Sequence, residues 1–597
     1  MQILYHKSPG LTIIQKFFIE RSIELLYRST IDSYRVRVKN PKTILNELRE
    51  TIFAYERGQI KHFIAIASTE RGKYALKDEA LDLLESQPNY LRYQTFSNEY
   101  FISVLKTLDE KNYKRVRDCL GVLLKENKDY LSYVLTGLMH LLNESPETDL
   151  QLTDLLKKID TTLSILYTEL LEIGFSKGFL YRFIYGVFVN SSDDINFDAA
   201  FTTFTERLTL DTISYTIIFR IDTTNKIKES FQTIDDISNV CSELEDLNHL
   251  EGNKEFDNFV APRLNRCYVK CRVSATDYLS ALKKAKASLA ENLDVLNLGF
   301  GDEHLHIHSR VLVVDESNPT GARFQESKNF LDGKYRVAQD HYQNFIDKLP
   351  TIVTQGNINR ETKEKIKSAI RYLRLGNEST EVEHKSINYW IGLEYLFSNY
   401  ESVNTINRIK DYFVACHSLS YVKRNAFDFH KTISKLEPSE LDLLNHYNNN
   451  PIVCLQNPEF YTEVASAFCE THPLISFRAQ LLRSTLCSSS NQNEIKKYVE
   501  RHQKNLIIHL TRIYRLRNEI VHDAATNTNN ESIASNLRYY LTFILNGVIH
   551  YLSRTDNENA SIEDYFTMNE IYLGNISYGK WNLENLLKVD TPIDFIH

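Results

Sequence analysis

No CxxC pair occurs among the eight cysteines of this 597-residue chain, so neither a disulfide framework nor a thiolate metal signature is expected. The cysteines read as reduced thiols, mostly in the core of a cytoplasmic protein. Long hydrophobic runs are missing too. The longest uncharged apolar stretches, Tyr130 to Leu142 and Tyr539 to Ser553, fall short of the roughly 20 residues a membrane helix needs. Both read as buried helices, and no membrane contact is expected. The opening segment MQILYHKSPGLTIIQKFFIERS is interrupted by Gln15, Lys16, Glu20 and Arg21, so it lacks the unbroken apolar core of a secretion signal. Positive charge is in deficit, with 70 Lys and Arg against 78 Asp and Glu and a net charge of -8. That balance argues against a protein that coats nucleic acid over its whole surface, while leaving room for one basic patch.

Catalytic signatures of several enzyme classes are absent as well. The GFG at 299 to 301 is a turn signal without the GxxxxGK[ST] of a phosphate-binding loop, which excludes a nucleotide-driven motor. No GxSxG or clustered Cys-His pattern suggests a hydrolase triad. His304, His306 and His308 alternate along HLHIHS and would share one strand face, a spacing able to ligate zinc or iron. No carboxylate or cysteine signature follows at a diagnostic distance, so the reading is a polar sheet face and no metal or other cofactor. Cys267 and Cys271 share a strand face in the same way, as two small apolar side chains.

What the chain does contain is helical periodicity interrupted once. Apolar residues recur three and four apart from about Leu11 to Asn190, as in IIQKFFIERSIELLYR, with no repeat of fixed period. At Asp211 the period changes to two: Ile213, Tyr215, Ile217, Phe219 and Ile221 alternate with more polar positions. A second strand presents Cys267, Val269, Cys271 and Val273 inward. The helix TDYLSALKKAKASLAENL and the strands HLHIHS and RVLVVD follow. Helical periodicity returns from His341. The predicted fold class is mainly α: a helical N-terminal domain (1–155), a small α/β domain (156–340), a helical bundle (341–556) and an unassigned tail (557–597).

The bundle carries the one constellation with chemical content. Arg517-Asn518-Glu519-Ile520-Val521-His522 closes a long helix, and INYWIGLEYLF, with Trp390 and Glu394, lies upstream. Together these segments resemble the HEPN ribonuclease family, in particular its Apea-like branch, over residues 341 to 555. The resemblance implies a metal-independent endoribonuclease in which two protomers pair and bring their Arg-x4-His motifs into one cleft. It further implies a role like that of the effectors of anti-phage abortive infection, which cut tRNA or other host or phage RNA on a phage-derived trigger, with the N-terminal parts sensing or restraining.

The residue types suit that chemistry. An imidazole with a pKa of about 6.5 can take the proton of a ribose 2′-hydroxyl near neutral pH, a role for His522. A forked guanidinium suits the charge that builds on the phosphoryl oxygens, a role for Arg517. Asn518 would polarise the site or cap the helix end, and Glu394 is a further candidate. Residues 494 to 522 hold seven Lys or Arg against three Glu, with Arg512 and Arg515 as the expected RNA contacts.

A structural alternative stands beside this reading. Arg517 falls on the apolar stripe of Leu506, Leu510, Ile513 and Ile520, where Glu394 could bridge it, and position 522 lies about 140° around the helix. The chain would then be a scaffold that uses a HEPN-like bundle to dimerise or to grip RNA or protein without cutting.

Overall fold

The computed structural model describes residues 10–27, 39–58, 76–190, 196–209, 211–227, 229, 238–263, 266–300, 305–327, 339–355, 357–379, 381–399, 405–436, 450–488, 491–523, 531–554, 559–579 and 581–591. Within these the chain is mainly α with one small sheet. No helix among the described residues is long and apolar enough to cross a membrane.

Nine helices precede the sheet among the described residues. They are α1 (Ile13–Leu26), α2 (Pro41–Glu56), α3 (Leu76–Ser86), α4 (Asn98–Lys106), α5 (Tyr113–Glu126), α6 (Tyr130–Leu142), α7 (Asp149–Ile173), α8 (Lys177–Phe188) and α9 (Phe197–Thr209). Local chemistry sets their starts. Thr12 Oγ1 accepts from the Gln15 amide while Gln15 Oε1 accepts from the Thr12 amide, so α1 begins in a reciprocal cap. Asn40 caps α2, and Pro41 occupies the first helical position, where its missing N–H has no intrahelical partner to lose. The helical region runs to Thr209, and the expected boundary at residue 155 falls inside α7.

Five antiparallel strands follow: β1 (Ile213–Thr223), β2 (Ser238–Cys241), β3 (Arg266–Ala275), β4 (Leu305–Asp315) and β5 (Asn318–Glu326), in the order β2-β3-β1-β4-β5. α10 (Lys254–Val260) and α11 (Tyr278–Phe300) cover its two faces. Tyr215, Ile217, Phe219 and Ile221 share one core with Cys267, Val269 and Cys271, with Leu282 and Ala285 of α11 and with the N-terminal helices. Ile218, Tyr268 and Leu312 face the other way, onto Phe256 and Phe259 of α10. The two-residue period thus reports a sheet buried on both sides, and the helical and α/β regions share a hydrophobic cluster.

The rest is helical: α12 (Gln339–Gln355), α13 (Arg360–Glu378), α14 (Val382–Phe397), α15 (Val414–Ile433) entered through a π turn at Ile409–Phe413, α16 (Pro451–Gln456), α17 (Pro458–Ala467), α18 (Pro473–Leu486), α19 (Asn491–Asp523), α20 (Glu531–Arg554), α21 (Ile562–Ser577) and α22 (Leu583–Leu587). The segment 557–597, left unassigned by periodicity, supplies α21 and α22 to this bundle. Phe566 stacks on Phe397 with ring centroids 4.4 Å apart, and Arg408 reaches Glu563 at 2.6 Å.

α18 ties the bundle to the N-terminal region. Phe477 meets Phe17 edge-on at 5.1 Å inside the shared core. Glu20 accepts from the Leu474 amide at 2.9 Å, placing an anion at the start of α18, where backbone N–H groups lack helical partners.

Candidate functional site

α19 carries the candidate site. Its inner stripe, Leu506, Leu510 and Ile513, is buried against α14 and α20. Trp390 of α14 is fully buried beside Tyr514, with ring centroids 5.8 Å apart. The close approach of α14 depends on Gly392: a Cβ there would lie 2.9 Å from Leu541 Cδ2 and 3.2 Å from Tyr372 Cβ.

Arg517 is half-buried at the end of this stripe, and its Nη1 donates to Asn518 Oδ1 at 3.0 Å. Glu394 takes a different partner, accepting from Trp390 Nε1 at 3.1 Å one turn back on its own helix. Among the described residues no ion pair joins Arg517 to Glu394, so the buried bridge of the structural alternative is not formed. Asn518 is placed against Arg517 and Glu394 is not. The backbone of α19 stays helical through Asp523, whereas the side chain of His522 lies outside the described residues. With 3.6 residues per turn, position 522 falls about 140° around the axis from Arg517.

The basic face differs from expectation. Arg512, expected to meet RNA phosphates, is half-buried between two carboxylates of the N-terminal helices: its Nη2 lies 2.9 Å from Glu47 Oε2 of α2 and 2.8 Å from Glu79 Oε2 of α3. Arg515, the second expected contact, also bonds Glu47 and lies 3.8 Å from Glu519. Lys504 pairs with Asp82 of α3. In this arrangement Arg512 is committed to protein carboxylates rather than open to phosphate. The reason is tertiary: its partners lie more than 400 positions away in the chain. Lys496 and Lys497 pair within the helix, with Glu500 and Glu494. Arg501 and Arg517 pair with no carboxylate among the described residues.

The electrostatics of this knot are uneven. Burial alone would raise the Glu47 carboxyl, but Arg512, Arg515 and Lys39 outweigh it and bring its pKa to about 2. Glu79 goes the other way, because burial and the neighbouring Glu47 charge outweigh its contact with Arg512 and hold its pKa above the usual range. Two carboxylates around one guanidinium thus divide into a strong acid and a reluctant one.

A buried histidine pair packs nearby. His417 Nδ1 lies 2.9 Å from His502 Nε2, and Arg424 Nη1 lies 3.2 Å from His417 Nε2. Arginine only donates, so His417 carries its proton on Nδ1 and donates it to His502. Tyr421 stacks on His502 at 3.6 Å. Burial, with the nearby Arg424 cation, pushes both histidines below their ordinary pKa, that of His502 to about 3. This pair escaped sequence reasoning, since its members are 85 positions apart. The one legible signal was the shared face of His417, Tyr421 and Arg424 at helical spacing.

On the sheet, His308 Nε2 meets Asp222 at 2.9 Å and its Nδ1 faces Arg220 at 2.8 Å. Both ring nitrogens of His308 are engaged, and its neighbour His306 is exposed. His304 lies outside the described residues. No cluster of His, Cys, Asp and Glu suited to a metal occurs among the described residues. No family model, no curated protein and no solved structure matches this chain.

Proposed function

We propose that the chain is a metal-independent endoribonuclease of the HEPN type, with Arg517 and His522 as its catalytic residues. The observation that carries this reading is the state of Arg517: a half-buried guanidinium at the end of an apolar stripe, oriented by Asn518 and not neutralised by Glu394. A buried cation that merely fixed the bundle would be expected to hold a carboxylate.

His522, as general base, takes the proton of a ribose 2′-hydroxyl. The 2′-oxygen then bonds to the adjacent phosphorus as the bond from phosphorus to the 5′-oxygen breaks. The products are a 2′,3′-cyclic phosphate and a 5′-hydroxyl end, the leaving oxygen taking up a proton. Arg517 binds the non-bridging oxygens, where charge accumulates. The separation of about 140° between the two positions on one helix favours a site shared by two protomers. Val521, an exposed apolar residue beside position 522, offers surface for that contact. A role in phage defence, with tRNA or other cellular RNA as substrate, belongs to the same proposal.

Incubation of purified protein with total RNA tests the reading. Cleavage that persists in EDTA and leaves cyclic phosphate ends is expected. Activity abolished by chelation and restored by zinc would contradict the mechanism.

A further inference from the structure

We infer that the N-terminal helices α2 and α3 form a removable acidic cover over the RNA-binding face of α19, held by carboxylates where RNA phosphates would otherwise bind. This rests on the reading of α19 as an RNA-facing helix.

Three observations converge on it. First, the covered cations share one face. At 100° per residue Lys504, Arg512 and Arg515 fall within an arc of about 80°, and position 522 returns to the same stripe as Lys504. The cover therefore sits along the face that leads to the proposed catalytic histidine. Second, the covering groups are anions that present paired oxygens to a guanidinium fork, as a phosphodiester does. Glu47 and Glu79 together engage Nε and Nη2 of Arg512, and Glu47 also reaches Arg515. Third, the junction is made by long charged side chains. Between α1 and α18, by contrast, Phe17 and Phe477 interlock beside the Arg478–Glu24 ion pair. An apolar contact of that kind can act as a fixed pivot. A charged contact can instead be exchanged for another polyanion with little net change, because the same cations stay paired.

RNA and the N-terminal helices thus compete for Lys504, Arg512 and Arg515. Binding of a trigger elsewhere on the N-terminal region need only lift α2 and α3 to expose the face.

The test uses the full chain and a fluorescent RNA with 2′-O-methyl ribose throughout, which keeps the phosphates but cannot be cut by 2′-hydroxyl attack. Affinity is read by anisotropy at low salt for wild type, for Glu47→Gln with Asp82→Asn, and for Asp82→Asn alone. The last is a half-exposed position that leaves the buried knot intact, and melting checks each protein. The double variant is expected to bind about tenfold tighter than wild type, the single variant by a smaller factor, and Arg512→Gln added to the double variant should reverse much of the gain. Folded variants that bind no tighter than wild type overturn the cover, including the case in which no protein binds the probe. Cleavage of ordinary RNA is measured in parallel. Cutting by wild type without any gain in binding removes the cover and keeps the nuclease, whereas tighter binding without cutting by any variant keeps the cover and removes the nuclease.

Discussion

Arg512 and Glu79 lie 2.8 Å apart although 433 positions separate them in the chain. Their contact joins the helix of the proposed active site to the N-terminal region. It also places Glu79 in competition with Glu47 for one guanidinium.

The two carboxylates should respond differently to neutralisation. The lowered pKa of Glu47 means that its ionised form stabilises the fold above about pH 4.5, a contribution lost as pH falls towards 2. The raised pKa of Glu79 has the opposite sign: the fold favours its protonated form, and that contribution is lost as pH rises through its folded pKa. At pH 7, Glu47→Gln is expected to cost roughly 3 kcal/mol by linkage. Glu79→Gln should cost much less or stabilise. Urea denaturation of both variants checks the difference, and equal losses would contradict it.

Acid should loosen the bundle through its histidine pair. His417 and His502 fold as neutral imidazoles, so their stabilisation is present above about pH 6.5 and declines as pH falls below it. By pH 5 the His502 term alone amounts to roughly 2 kcal/mol. Melting temperature measured between pH 7.5 and 5 should fall, and His502→Gln should flatten that dependence.

Gly392 leaves little room for a side chain. A methyl group there meets Leu541 and Tyr372, so Gly392→Ala is expected to destabilise the bundle by about 1 to 3 kcal/mol. Thermal melting reads this directly, and an unchanged midpoint would show that α14 and α20 can move apart.

Arg517 should matter little to stability. With Asn518 as its partner and no carboxylate to strand, Arg517→Ala should cost about 1 kcal/mol or less. A loss near 4 kcal/mol would mark it as a structural bridge. Denaturation of the variant separates the two roles.

Much of the fold was legible because burial imposes a period. The alternation from Ile213 to Ile221 names the sheet face that packs on α11, and the Leu506, Leu510 and Ile513 stripe names the buried face of α19. The helical period is legible to about Asn190, and α9 extends the helices to Thr209; residue 155, drawn as a domain boundary, lies inside α7, where no breaker interrupts the helix. The tail carries a helical stripe, with Ile562, Tyr565, Phe566, Asn569 and Ile576 buried along α21, but a polar residue within it and the exposed Ile571 and Tyr578 outside it mask the period in the sequence. At the candidate site, the Arg517 position could be read from spacing. The commitment of Arg512 could not, because a cation's partner depends on tertiary contact and leaves no local pattern.

The most direct test of the central claim is cleavage of total cellular RNA by wild type, Arg517→Ala and His522→Ala, each shown to be folded by melting. The account predicts that wild type alone cuts, leaving 2′,3′-cyclic phosphate ends. Cutting by either folded variant at the wild-type rate would contradict the assignment of Arg517 and His522 as the catalytic pair.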